Sequence, residues 1–435
     1  MDGGSALKCR LFVVVLVATL AVGVRPEGGQ GSGGSADRDG VCRADTCDAG
    51  TDDTTVTAVT GEATIDSHDH DHDSDNGGRA EDGWDSRGYI SFCPTMGNFG
   101  NQIEQYLGAF AFAKALNRTL VVPPFLRISY KQKVQLMVPF ADLFQLDPLT
   151  AFLPALTMED FLDRLAPDHW PPEQRQTYTH MFVSVECRET RRLSCWSHLK
   201  PQSSFGECHE HRLPLNANMD KEDAFVALRK KWNERYPVDE HPVLALHHAP
   251  GLFPIEAGNR RLQKYLRWSE EVFSPARSYV IQTFAGQPWV SAHLRNGMDW
   301  VKACDRDFAR LPYLMGSPQC HDVKPGALTK EMCLPPLSHM LNFTVHVFQD
   351  VQAKHFFIAT DSKPYLQEFK TVLEPLGVSV HYLDPDMPQM DLMVMAQADY
   401  FIGSCVSTFT SFVKRERDVN GKPSVFWGQD YNGFQ

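Results

Sequence analysis

A regular pattern of apolar and polar positions begins near residue 88. Gly88-Tyr-Ile-Ser-Phe-Cys is a short apolar run of strand character, followed by the glycine-containing turn Met96-Gly-Asn-Phe-Gly-Asn-Gln. From 101 to 116 the apolar residues Ile103, Leu107, Phe110 and Leu116 recur at roughly helical spacing, and 119–122 is a second β-rich run stopped by Pro123-Pro124. Strand, helix, strand in that order is a βαβ unit. Helical patterns over 158–165 and 221–236 come next, separated by Pro-rich and Cys-bearing loops. A second series opens near 274, with a helix over 274–285, a strand over 288–295 and a long helix over 335–352. Further strands are predicted at 355–360, 379–383 and 400–404. Such alternation implies parallel sheets covered by helices. Two series imply an α/β protein of two Rossmann-like domains, 88–285 and 286–435, with the ligand cleft between them.

Upstream of residue 88 the pattern changes. Lys8 and Arg10 precede an apolar run of about 12 residues that ends near Gly23. This reads as a secretory signal peptide over 1–23, short of the roughly 20 residues of a comfortable span, with an uncleaved anchor as the other reading. No other stretch is apolar enough to cross a bilayer. Residues 24–87 hold sixteen Asp or Glu against five Lys or Arg, so they carry −11 of the chain's formal −12. Their only aromatic residue is Trp84, and so polar a segment cannot offset the entropy of ordering; it is expected to be a disordered acidic linker. His68, His70 and His72 alternate there with Asp69, Asp71 and Asp73, a pattern read as solvated polar residues and not as a metal site. The remainder is nearly neutral and gives no reason to expect a nucleic-acid partner.

Composition fits this address. With 43% apolar residues the chain can bury one large core or two ordinary ones. Of eleven cysteines, Cys9 leaves with the signal and ten remain for an oxidising compartment, Cys42 and Cys47 being spaced for a small local loop. Asn117-Arg-Thr and Asn342-Phe-Thr are glycosylation acceptors in a lumenal protein.

Candidate chemistry gathers at predicted strand ends. In the 97–102 turn, glycines let the backbone approach a ligand and a helix N-terminus favours an anion, yet the string is neither G-x-G-x-x-G nor a P-loop. His293-Leu294-Arg295 closes the first strand of the second series, where an arginine can neutralise a pyrophosphate leaving group; an ion pair with Asp299, Asp305 or Asp307 is the plainer alternative. Asp361 follows the next strand, and Gly403-Ser-Cys-Val-Ser-Thr-Phe-Thr brings hydroxyls and amides to a helix start. Asp361 and Asp391 are candidates to accept the two N–H groups of a guanine edge. Asp305-Arg-Asp and Asp384-Pro-Asp have the D-x-D form of metal-dependent transferases, but neither closes a β-run cleanly, and no metal site is expected.

Several longer strings are more specific. Cys93-Pro-Thr-Met-Gly-Asn-Phe-Gly-Asn-Gln, Phe112-Ala-Lys-Ala-Leu-Asn-Arg-Thr-Leu-Val-Val-Pro-Pro and His293-Leu-Arg-Asn-Gly-Met-Asp-Trp resemble the GDP-fucose protein O-fucosyltransferases of the EGF-repeat type. So do Ser317-Pro-Gln-Cys, Met332-Cys-Leu-Pro, Gln397-Ala-Asp-Tyr-Phe-Ile-Gly-Ser-Cys-Val-Ser and Phe412-Val-Lys-Arg-Glu-Arg-Asp, in one order from about 88 to 428. The resemblance implies a two-domain GT-B architecture and inverting transfer of fucose from GDP-fucose to Ser or Thr of folded EGF-like repeats, as in Notch-type receptors. It implies no cofactor besides that donor, and a monomer in the endoplasmic reticulum lumen. By position, the donor site would comprise Asn98, Phe99, Gly100, Asn101, His293, Leu294, Arg295, Asp361, Asp391, Thr408 and Phe409. Arg295 would be the main electrostatic catalyst, and Asn101 would orient the acceptor hydroxyl or a phosphate oxygen. The resemblance also pairs Cys304 with Cys333 and Cys320 with Cys405.

Three departures stand out. Asn98 occupies a position where the family usually has Arg. Thr95 occupies that of a second cysteine, which leaves Cys93 without its usual partner; of Cys187, Cys195 and Cys208, the first two look the best matched to each other. The chain ends Asn-Gly-Phe-Gln with no K-D-E-L-like signal, so residence in the endoplasmic reticulum follows from resemblance alone. Action on thrombospondin-type repeats, or a catalytically weak lumenal chaperone for EGF-like domains, are the competing readings.

Overall fold

A computed structural model of the chain describes residues 83–94, 97–129, 134–180, 207–306, 315–323, 328–384 and 387–434. The first half supplies strands β1 (Tyr89–Phe92), β2 (Thr119–Val122), β3 (Phe125–Ser129), β4 (Val134–Val138) and β5 (Ala155–Thr157). It continues with β6 (Gln176–His180), β7 (Glu207–His211) and β8 (Val243–Leu246). Six of these form a parallel sheet in the order β5-β2-β1-β8-β6-β7, while β3 and β4 make an antiparallel hairpin. The second half supplies β9 (Trp289–Leu294), β10 (His355–Thr360), β11 (Ser379–Tyr382), β12 (Tyr400–Gly403) and β13 (Ser424–Phe426), parallel in the order β11-β10-β9-β12-β13. The central strands β1, β8 and β9 are buried along their whole length, as parallel strands covered on both faces must be.

Eight helices matter here: α1 (Phe99–Leu116), α2 (Asp223–Arg235), α3 (Glu270–Phe284), α4 (Met298–Arg306), α5 (Leu337–Val351), α6 (Leu366–Leu373), α7 (Pro388–Gln397) and α8 (Thr408–Val419). α1 is buried at every position except Asn101 and Lys114, the mark of a core helix and not of a surface one. Its polar side chains are matched accordingly: Gln102 donates to the Leu126 carbonyl at 2.6 Å and accepts from the Leu126 N–H at 2.8 Å. One apolar core takes in Phe99, Phe110 and Phe112 of α1, Leu392 of α7, Phe401 of β12 and Phe412 of α8, so residues of both sheets share it. A second core, around Leu294, Val347, Phe356 and Trp427, covers the other face of the β9 sheet.

The strands expected at 119–122 and 355–360 have those bounds, and the other predicted elements agree within a few residues. Helix 158–165 is present but widens into a π-type turn over Phe161–Leu165 before continuing to His169. The fold also starts earlier than the expected linker boundary at 87. Trp84 stacks on His169 at 4.5 Å and packs at a tilt against Tyr89, also at 4.5 Å. Asp85 is buried, accepts from the Thr119 hydroxyl at 2.5 Å and pairs with Arg87 at 2.7 Å. An isolated aromatic at the end of a polar tract therefore marks the first packed residue, because it caps the outer face of β1.

Cys304–Cys333 and Cys320–Cys405 are bonded. Cys93 and Cys208 are disulfide-bonded as well, so Cys93, whose usual partner position holds Thr95, is nonetheless paired. Cys42, Cys47 and the anticipated Cys187–Cys195 pair lie outside the described residues, as do the signal segment, residues 24–82 and the histidine-aspartate tract. No described helix is long and apolar enough to cross a membrane.

Candidate active site

In chain order the second sheet runs third, second, first, fourth, fifth strand, so the connections leave its centre in opposite directions between β9 and β12. Ligands of doubly wound sheets lie outside the carboxyl ends of the strands at such a switch point. The first sheet has a matching point, where β2 and β8 flank β1 and the chain leaves β1 for α1. Both points meet. The hydroxyl of Thr408, first residue of α8, donates to Oδ1 of Asn101 in the first turn of α1 at 2.6 Å. Gly100 lies so close to α8 that an added Cβ would stand 2.8 Å from the Phe409 nitrogen and the Thr408 carbonyl carbon. Glycine is required there for close approach, and Gly97, with φ of 59°, for the turn before it. Two helices thus begin at one place, each with the unpartnered N–H groups and positive dipole end that attract an anion.

Arg295 follows β9 and is held from three sides. It pairs with Asp299 at 2.6 Å and with Asp361, and its guanidinium lies 5.0 Å from the centroid of the Trp300 ring. Asp361 also accepts the N–H groups of Asn296 and Gly297 at 3.1 and 3.2 Å. Of the acids expected to pair with this arginine only Asp299 is seen to do so, and Asp361, expected at the guanine edge, is its second partner; the two orient the fork, while its side chain keeps 21% of its surface exposed. Asp361's carboxylate is engaged by these groups and not left open to a base edge.

His293, one residue pair back along β9, faces the same side because strand side chains alternate. It is buried, its Nδ1 lies 2.8 Å from the Thr410 hydroxyl and its ring 5.0 Å from that of Phe409. Burial, reinforced by the Arg295 charge, pushes the imidazole down to about 3, so it is neutral at ordinary pH and a poor general base. The Thr410 hydroxyl also accepts the Ser404 N–H at 3.1 Å, which ties the His293 ring to the turn before α8. Leu294 points the opposite way, 1% exposed in the second core. Phe99 is also a core residue, with rings of Phe125, Phe412 and Trp268 at 5.3, 5.5 and 6.2 Å. Both can offer a ligand only their main chain. Asn98 is exposed at the N-cap of α1, where its side chain makes no capping bond.

Asp391 lies in the first turn of α7, on a helix and not at the strand edge that a guanine-pairing aspartate suggests. It is 6% exposed and its Oδ1 has no hydrogen-bond partner. Burial, with the Asp384 charge second, raises its carboxyl to about 8. A buried oxygen without a donor is costly unless a ligand supplies one.

Sequence reading gave no role to Gln319, whose amide nitrogen lies 2.5 Å from the Cys405 carbonyl and 2.7 Å from the Ser411 hydroxyl, or to the buried pair Glu104–Arg415 at 2.5 Å. Both sit in strings that carried the resemblance or in α1, but nothing in a linear pattern says which carboxylate meets which arginine 311 positions away. A small, open pocket beside α8 is lined by Glu104, Ile255, Arg260, Gln319, Ser411 and Arg415, and by none of the residues expected at the donor. Of the D-x-D strings, Asp305 pairs with Lys330 at 2.8 Å, and Asp307 and Asp386 lie outside the described residues. Among the described residues no three His, Cys, Asp or Glu are grouped to hold a metal ion. Asn342 is exposed on α5, and Asn117 is half-buried at the left-handed cap of α1.

The profile of the family described as GDP-fucose protein O-fucosyltransferase matches residues 89–420. GDP-fucose protein O-fucosyltransferase 1 of Caenorhabditis elegans is 37% identical over 363 residues, 79% of this chain and 91% of the relative. Among solved structures, POFUT1 in complex with GDP-fucose superposes with a TM-score of 0.72 at 36% identity, covering 80% of this chain and all of that one. POFUT1 in complex with GDP gives 0.69 at 36% identity over the same shares.

Proposed function

Because this chain belongs to the GDP-fucose protein O-fucosyltransferase family and is a glycosyltransferase of that kind, we propose that its acceptor is a Ser or Thr hydroxyl on a folded EGF-like repeat, fucosylated with inversion. The reading rests above all on one observation: the N-termini of α1 and α8 meet, and the first turn of α8 touches His293, two residues before Arg295 on the same side of β9, an arrangement suited to a diphosphate. The two domains are read as meeting between residues 285 and 286, the first beginning at the packed Trp84 and Asp85, and the chain as a monomer of the endoplasmic reticulum lumen.

The guanine edge goes to Asp391, whose unpartnered oxygen needs N–H donors. Phe409 and Thr408 line the nucleotide, and the amides of Phe99 and Gly100 meet the β-phosphate. In the reaction the bond between fucose C1 and the β-phosphate oxygen breaks, its electron pair staying on that oxygen. The acceptor oxygen bonds to C1 from the opposite face, and its proton leaves to the diphosphate or to solvent. Arg295, already oriented by Asp299 and Asp361, faces charge that grows only as the bond breaks, so its contribution is larger in the transition state than in the ground state. Neutral His293, its Nδ1 engaged by Thr410, presents Nε2 to the donor. Asn101 takes a phosphate oxygen or the acceptor hydroxyl through its amide nitrogen, since its oxygen already accepts from Thr408. No step requires a metal ion.

Incubation with GDP-fucose and either a folded EGF-like or a folded thrombospondin-type repeat tests this reading. GDP release should depend on the EGF-like repeat. Release that depends on the thrombospondin-type repeat would reassign the acceptor, and binding without release would favour a chaperone.

A further inference from the structure

α1 is apolar nearly all round, yet it buries Glu104, and the partner of that carboxylate is Arg415 of α8. The two side chains are 2% and 6% exposed. Around them Glu104 accepts the Ile255 N–H at 2.9 Å, and Arg415 donates to Gln263 at 3.1 Å. A buried ion pair is a poor source of stability, because desolvating both charges costs about what their attraction returns, and an apolar pair of the same volume often does as well. Its presence in this core calls for another reason.

The contact geometry supplies one. α1 and α8 touch at two polar rungs: Asn101 to Thr408 at the N-termini, and Glu104 to Arg415 beyond. The rungs are three residues apart on α1, about 4.5 Å of rise, and seven apart on α8, about 10.5 Å. Unequal spacing of two directional polar contacts constrains both the sliding and the crossing of one helix on the other, in addition to the apolar packing between them. The two ends being joined also repel, since each helix N-terminus carries the equivalent of roughly half a positive charge. Gly100 lets them approach to van der Waals contact, and a tie behind the site, together with the Phe99–Phe412 packing and the Asn101–Thr408 hydrogen bond, offsets that repulsion when no anion is bound.

We propose that Glu104 and Arg415 are positioning residues, a buried tie that sets the register of α1 on α8 so that both N-termini converge on the donor's β-phosphate. The proposal rests on the reading of that convergence as a diphosphate site. Neither side chain touches the donor; both act through Asn101, Gly100 and Thr408.

The test compares GDP with GMP, which differ only in the phosphate that the two N-termini would hold. Arg415→Lys keeps the charge and loses the fork, whereas Glu104→Gln keeps an acceptor for the Ile255 N–H and loses the charge. Calorimetric affinities for both nucleotides are measured on wild type and on each variant, together with Tm. The tie predicts that the preference for GDP over GMP falls at least tenfold in both variants while GMP affinity stays within about twofold. An unchanged preference in folded variants, a parallel loss of affinity for both nucleotides, or failure of both variants to fold would each make the pair structural and overturn the proposal. A wild type that binds GDP and GMP equally would instead remove the diphosphate reading itself, and the proposal with it.

Discussion

Asp391 offers the sharpest quantitative consequence of the site. Its carboxyl stands at about 8 in the ligand-free fold, raised by burial and by Asp384, so at pH 7 it is about nine-tenths protonated. A guanine edge presents two N–H donors and selects the ionised form. Binding at pH 7 should therefore expel close to one proton, at a cost of about 1.4 kcal/mol for the one pH unit between 7 and 8. Between pH 6 and pH 8 the ionised fraction rises from about 1% to about half, so GDP affinity should rise about 50-fold. Asp391→Asn, nearly isosteric with the protonated side chain, should fold, bind GDP more weakly and lose that slope; its own titration corrects for ionisation of the phosphate. Stability moves the other way. The folded chain holds a proton that the unfolded chain has released between about pH 4 and 8, so stability falls across that window by up to about 1.4 kcal/mol per pH unit, and less in Asp391→Asn. Calorimetry in two buffers of different ionisation enthalpy reads the proton directly. Equal heats in both buffers, or an affinity flat from pH 6 to 8, would refute the assignment of Asp391 to the base.

Three further outcomes follow. Arg295→Ala should lower kcat by about 10²-fold with a smaller effect on GDP affinity, and Arg295→Lys should recover little, because a single ammonium cannot replace a fork braced by two carboxylates; steady-state kinetics with normal turnover would make Arg295 a structural residue. A chain starting at Gly83 should keep its Tm, whereas one starting at Gly88 should lose several degrees with Trp84 and Asp85; equal melting curves would contradict the packing of that segment. Transfer should survive EDTA, and loss restored by manganese would assign the leaving-group charge to a metal.

Periodic features of the fold were legible in the sequence. β2 and β10 are runs of β-branched or aromatic residues between turn signals, so pattern alone bounded them. β6 and β7 were missed because Gln176–His180 and Glu207–His211 mix polar and aromatic residues with no clean alternation. The site divided the same way. Strand ends told where Arg295 and Thr408 would lie, and alternation along β9 accounts for why Leu294, between His293 and Arg295, turns to the core instead. Phe99 was misleading for a related reason: it is part of a functional string through its backbone while its ring builds the core. Asp391's helix, the clamp by Gln319 and the Glu104–Arg415 tie depend on contacts between distant segments, which no local pattern carries. The string Phe412-Val-Lys-Arg-Glu-Arg-Asp shows what folding adds. Arg415 reaches Glu104, Lys414 pairs with Asp418, and Arg417 is fully buried on the carbonyls of Ala398 and Asp399.

The central claim is that this site moves fucose to a hydroxyl presented by a folded, disulfide-bonded domain. A linear peptide would have to be ordered on binding, whereas the folded domain holds its hydroxyl in place beforehand. Intact mass of one EGF-like repeat, oxidised or reduced and alkylated, after incubation with GDP-fucose and the wild-type chain tests it most directly. One added fucose is expected on the oxidised repeat and little on the reduced one. Equal modification of both forms, or GDP release with no sugar on either, would contradict it.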